Sequence, residues 1–214
     1  MSYLTIKDTG KFEFEEKKSV FIGETIRVET EMEAKEFLNK IKRENKEARH
    51  NVYAYILGEN NGIQRYSDDG EPQGTGGMPI LEVIKRNNLT DIIVVVTRYF
   101  GGILLGTGGL TRAYTKAAAE SIKQATTVEK VKGCELIIKL QYELLGKVQH
   151  CCQLNNWFIE TIVYTDNVEL LIFCEINNAE LIMATIKNIT SARCLAEITG
   201  EGIYFKNEEK LYKL

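Results

Sequence analysis

RYFGGILLGTGGLTRAY, residues Arg98 to Tyr114, follows the apolar run IIVVV at Ile92 to Val96. An unbroken apolar run bounded by polar residues reads as a strand buried on both faces. After the glycines, Leu110, Ala113, Tyr114, Ala117, Ala118, Ile122 and Ala125 fall at helical i, i+3, i+4 spacing. Arg112, Thr115, Lys116, Glu120 and Lys123 make the opposite, solvated face. Gly101, Gly102, Gly106, Gly108 and Gly109 sit between this strand and this helix, where the backbone can take positive φ and another molecule can approach closely. Free N–H groups at the helix start, with the helix dipole, favour an anion there.

The tetrapeptide GTGG occurs twice, at Gly74–Gly77 and at Gly106–Gly109, and each copy opens a helix. Pro79 suits a first helical turn, because the N–H it lacks would be unbonded there. The pair could form a shared backbone cup; the plainer reading is that the glycines permit tight turns and close helix-on-strand packing. Neither GxxxxGK[ST] nor GxGxxG is present.

Composition narrows the classes. With 44% hydrophobic and 27% charged residues over 214 positions, the chain has the balance of a soluble globular protein large enough to bury a core. No run approaches the ~20 apolar residues of a membrane span, and the N-terminal stretch has no apolar signal region. A cytoplasmic location without membrane partners is expected. The five cysteines, Cys134, Cys151, Cys152, Cys174 and Cys194, lack CxxC spacing and are read as buried thiols without disulfide partners. Residues 1–132 carry 20 Lys+Arg against 19 Asp+Glu, net +1, and residues 133–214 carry 7 against 11, net −4. Bulk electrostatics therefore holds no nucleic acid, and any RNA contact needs a local patch.

Outward from the central stretch, Phe12–Glu15 and Val20–Val28 read as strands, Thr30 with Glu33 as a capping box before a helix, and Val52–Leu57 with Ile63–Tyr66 as a hairpin. These predict an N-terminal α/β domain of two layers over residues 1–130. Residues 126–133 break the periodicity and read as a linker. Residues 133–214 then run β-α-β-β-α-β, the ferredoxin-like order.

The segments RHNVYAYILG, RYSDDGEPQGTGGMPILEVI and VVVTRYFGGILLGTGGLTRAY together resemble the YigZ/IMPACT family across the whole chain. The resemblance implies an N-terminal fold like a small-subunit ribosomal protein and domain IV of elongation factor G, and a C-terminal fold like domain V of that factor. Eukaryotic relatives act in translational control by competing for a ribosome-associated activator of a starvation-sensing kinase, a pathway that bacterial relatives lack. A translation-linked role, with RNA or a ribosome-associated protein as partner, is what the resemblance implies here. Two motifs depart from the usual pattern: Gln73 and Gly76 stand in place of the serine and alanine of SGTAG, and Leu104 stands in place of the lysine of KLGAGG.

The candidate binding residues follow. Backbone amides of Gly74, Gly76, Gly77, Gly101, Gly102, Gly106, Gly108 and Gly109, with Arg98 and Arg112, are expected to hold phosphate, since a guanidinium binds it bidentately. Tyr99 adds a stacking surface. His50, Asn51, Arg65, Asp68, Asp69 and Glu71 are expected to shape the cleft, the two aspartates pairing with Arg65, Arg98 or Arg112. Catalysis, a cofactor and a bound metal are not required by the sequence. The competing readings are an enzyme that binds a nucleotide or phosphorylated metabolite, with Mg²⁺ on Asp68 or Asp69, and a pure protein-interaction module.

Overall fold

The computed structural model describes residues 2–213. The chain divides into two compact units, Tyr3–Val128 and a second built from residue 129 onward. In the first, the elements run β1 (Tyr3–Ile6), β2 (Gly10–Glu16), β3 (Ser19–Arg27), α1 (Glu31–Glu44), β4 (His50–Leu57), β5 (Ile63–Ser67), α2 (Gly77–Arg86), β6 (Ile92–Tyr99) and α3 (Thr107–Gln124). Strands β2-β3-β6-β4-β5 form one sheet in that order, antiparallel throughout.

Strand β6 lies at the centre, and its residues alternate between two cores. Ile92, Val94 and Val96 pack with α2 and α3, whereas Ile93 and Val95 pack with Ala34, Phe37 and Ile41 of α1. An uninterrupted apolar strand needs cover on both faces, so α1 adds a third layer to the two expected. Thr30 caps α1, its hydroxyl accepting from the Glu33 N–H at 3.2 Å, while the Glu33 carboxylate accepts from the Glu29 N–H. Helix α3 lies against the β2–β3 hairpin over two glycines. A Cβ on Gly10 would stand 1.9 Å from the Ser121 carbonyl oxygen, and one on Gly23 2.5 Å from that of Ala117.

The second unit contains most of β7 (Thr127–Leu140), then α4 (Tyr142–Leu154), β8 (Ile159–Tyr164), β9 (Val168–Glu175), α5 (Ile176–Ile189), β10 (Cys194–Asn207) and β11 (Lys210–Tyr212). The spatial order β10-β7-β9-β8 is the ferredoxin-like arrangement. Leu144, Val148 and Cys152 of α4 and Ala179, Ile182 and Ile186 of α5 bury Leu136, Ile138, Leu170 and Ile172 of the sheet. Residues 126–133 are not a linker. Glu129 to Gly133 pair residue by residue with Lys206 to Gly202 of β10, and Val131 is buried with Tyr204 and Leu211. Those partners lie some seventy residues downstream, out of reach of local periodicity. Cys134 and Cys174 face each other across β7 and β9, Sγ to Sγ 3.6 Å. Among the described residues no helix is long and apolar enough to cross a membrane.

Candidate functional site

The two glycine turns have the same letters and opposite surroundings. At the first, the Asp68 carboxylate fills the cup from inside: Oδ2 accepts from the Gly74 N–H at 2.8 Å, and Oδ1 from those of Gly76 at 2.9 Å and Gly77 at 2.8 Å. A carboxylate on amides at a helix start satisfies donors that the helix leaves unbonded. These glycines are packing positions as well, because a Cβ on Gly76 would come within 2.8 Å of Val52, and one on Gly77 within 2.8 Å of the Ser67 backbone. The amides assigned to phosphate at this turn are thus occupied by the protein itself.

Arg98 is also engaged internally. The sheet register sets Phe21, Arg98 and His50 side by side on β3, β6 and β4. The guanidinium, 6% exposed, lies under the loop that joins β5 to α2. It donates to Glu71 Oε1 at 2.7 Å and to Ser19 Oγ at 3.3 Å, while Phe21 and Phe100 stack within 5.5 Å. The same Glu71 oxygen accepts from the Tyr114 hydroxyl at 2.8 Å. Burial first, and then the Glu71 charge, push the Tyr114 phenol well above its ordinary range, so it remains a donor. Among the described residues Arg98 Nε is buried with no hydrogen-bond partner. The expectation of an arginine on an open cleft is therefore corrected. A cation with no exit from the core needs a buried carboxylate, and Glu71 supplies it.

The remaining acidic-loop residues complete this internal network. Asp69 accepts from Lys42 Nζ at 3.0 Å and from the Asn51 N–H at 2.7 Å. His50 Nδ1 lies 2.8 Å from the Asp69 carbonyl oxygen, which fixes that nitrogen as the donor, and its Nε2 lies 3.9 Å from Glu71. The Asn51 side chain accepts from the Thr97 hydroxyl at 2.9 Å. Asp68 and Asp69 thus pair with amides and Lys42 rather than with Arg65, Arg98 or Arg112, and the oxygens that a Mg²⁺ reading requires are engaged. Among the described residues no group of His, Cys, Asp and Glu is arranged to hold a metal ion. Arg65 stands apart on the exposed β5, with Nε 3.7 Å from Glu31. Tyr99 is half-buried, and its hydroxyl donates to Asn45 Oδ1 at 2.7 Å.

The second turn is open. Gly102 and Gly106 have φ of 81° and 72°, and nothing stands within 4 Å of where a Cβ would project from Gly102, Gly106 or Gly108. Gly106 precedes α3, and among the described residues no side chain caps that helix start. Beside it, Lys17, Gly109, Arg112 and Lys116 converge with Leu105 and Phe14 on a cavity of about 290 Å³, where Glu16 is the one acid. The Lys116 ammonium stands 4.3 Å over the Phe14 ring. Arg112 and Lys17 have no hydrogen-bond or ion-pair partner among the described residues. Lys17 and Lys116 are outside the set expected from the sequence; Lys17 lies with Lys18 in the turn between β2 and β3. Both lysines have positive φ, 47° and 64°.

Residues 17–122 match the Impact N-terminal domain, and residues 138–193 match a domain of unknown function, DUF1949. The chain is 44% identical over 174 residues to IMPACT family member YvyE of Bacillus subtilis, an alignment that covers 81% of this chain and 80% of that one. It is 34% identical over 202 residues to an IMPACT family member of Haemophilus influenzae, covering 94% and 98%. A crystal structure of a hypothetical protein superposes with a TM-score of 0.60 at 28% identity, covering 93% of this chain and 98% of the other. With this two-unit fold and the glycine-turn motifs in place along its length, the chain belongs to the IMPACT family.

Proposed function

We propose that the protein is a translation-linked regulator whose N-terminal unit docks an anionic partner, RNA or a ribosome-associated factor, at the second glycine turn. The observation that carries this reading is the convergence of Lys17, Arg112 and Lys116 on one cavity beside an uncapped helix start, with Arg112 and Lys17 free of internal partners among the described residues. Cations left unpaired beside exposed amides suit phosphate or carboxylate oxygens. Family membership supplies the translational context, since the resemblance places eukaryotic relatives in translational control. The first turn, Arg98 and the DDGE loop act as its foundation: they hold β6 and α3 in register beneath the face.

Filter binding of labelled single-stranded RNA, together with co-sedimentation with ribosomes over a salt series, tests the reading. Three phosphate contacts give a log–log salt slope of about −2. The triple variant Lys17→Ala, Arg112→Ala, Lys116→Ala is expected to abolish that slope. Equal binding by wild type and variant in both assays would refute the assignment of this face.

A further inference from the structure

The loop that leads into the second glycine turn carries an apolar tip. Leu104 is 81% exposed, Ile103 42% and Phe100 38%. Both ends of this tip are pinned. The Gly101 N–H donates to Ser19 Oγ at 3.2 Å, and Gly101 sits so close to the preceding hairpin that a Cβ would stand 1.9 Å from the Lys18 carbonyl oxygen. At the far end Leu105 is buried in the core, and the Gly106 carbonyl accepts the Leu110 N–H. The residues between are therefore presented outward by fixed neighbours, which lowers the entropy lost on docking.

Cations flank the tip on both sides. The Arg49 guanidinium stands 5.6 Å from the Phe100 ring, Lys18 adjoins Gly101, and Lys17 and Arg112 surround Leu105. Branched aliphatic side chains offer nucleic acid neither a planar face to stack nor a group to bond a base edge. In a protein pocket they are ordinary anchors, and a cationic collar is complementary to a carboxylate rim.

We infer that Ile103 and Leu104 insert into an apolar, acid-rimmed pocket of a protein partner on the ribosome, so that the partner at this face is protein and not RNA. The inference rests on the docking function proposed above. Its test replaces Leu104 by p-benzoylphenylalanine, irradiates the protein with purified bacterial ribosomes and identifies the adduct by mass spectrometry. In parallel, the sedimenting fractions of wild type, Leu104→Asp and Leu104→Lys are compared, with circular dichroism to confirm that the exposed substitutions leave the fold intact. The expected result is an adduct to a ribosomal protein, and about tenfold weaker sedimentation for both variants. Leu104→Lys separates the two partner classes, because an added cation strengthens binding to phosphate and weakens insertion into an apolar pocket. An adduct to ribosomal RNA, tighter sedimentation of Leu104→Lys, or wild-type binding by both variants overturns the inference while leaving the docking function standing. No sedimentation of the wild type removes the docking function, and the inference with it.

Discussion

Removing the Glu71 carboxylate should unfold the N-terminal unit under conditions that leave the second unit intact. In Glu71→Ala the Arg98 guanidinium, 6% exposed, loses its one carboxylate contact at 2.7 Å, and the buried Tyr114 hydroxyl loses its acceptor at 2.8 Å. Stranding a buried charge costs about 3–5 kcal/mol, and an unsatisfied buried hydroxyl about 1–3. The two losses share one site and are not additive, so about 4 kcal/mol is expected, a large part of the ~5–15 kcal/mol that holds a typical domain. The single tryptophan, Trp157, lies in the second unit, so fluorescence follows that unit alone. Urea titrations should then show an unchanged fluorescence midpoint and an early loss of near-ultraviolet dichroism from the tyrosines. Hydrogen exchange of β6 peptides should accelerate in step. Adding Arg98→Met should recover part of the loss, because no charge is then stranded. A cost under about 1 kcal/mol would be that of a solvated pair, and would refute the buried network.

Three further outcomes are expected. Asp68→Ala leaves the amides of Gly74, Gly76 and Gly77 without their acceptor and should cost about 1–2 kcal/mol, read as a lower urea midpoint and faster exchange at the start of α2. Gly101→Ala places a methyl against the Lys18 backbone and should cost about 1–3 kcal/mol, whereas Gly108→Ala, which meets nothing within 4 Å, should be tolerated in a thermal melt. Burial pushes the Cys152 thiol up to about 11 and that of Cys174 up to about 12, from an ordinary 9.0. The fold thus favours the protonated thiols. Their contribution is whole below pH 9, declines as the unfolded thiols ionise above it, and is lost beyond the folded values, by up to about 1.4 kcal/mol per group and pH unit. The Trp157 urea midpoint of the wild type should fall between pH 9 and 11 more steeply than that of Cys152→Ala with Cys174→Ala; parallel curves would contradict this.

Sequence periodicity carried the elements but not their partners. The Ile92–Val96 run, the Thr30 cap and the β-α-β-β-α-β order were legible because each depends on neighbours within a few positions. The strand at residues 127–133 was hidden because β10 makes it a strand. The second glycine turn and Arg112 were readable as exposed backbone beside a cation. The first turn was misread for a physical reason: identical letters give a vacant cup or a filled one according to whether an acid six to nine residues upstream folds back, and Asp68 does. Arg98 was misread likewise. A guanidinium at a strand end points to solvent unless a distant carboxylate meets it, and Glu71 lies 27 positions away.

These long separations govern how the chain can be made. Val20 on β3 pairs with Tyr99, Arg98 reaches back 79 positions to Ser19, and Tyr114 reaches back 43 to Glu71. A nascent chain emerging amino end first therefore exposes the flank of β3, including the apolar Phe21, through most of the synthesis of its own unit. The unit closes only when residue 114 has left the exit tunnel, which leaves a long window for edge-to-edge association between neighbouring nascent chains.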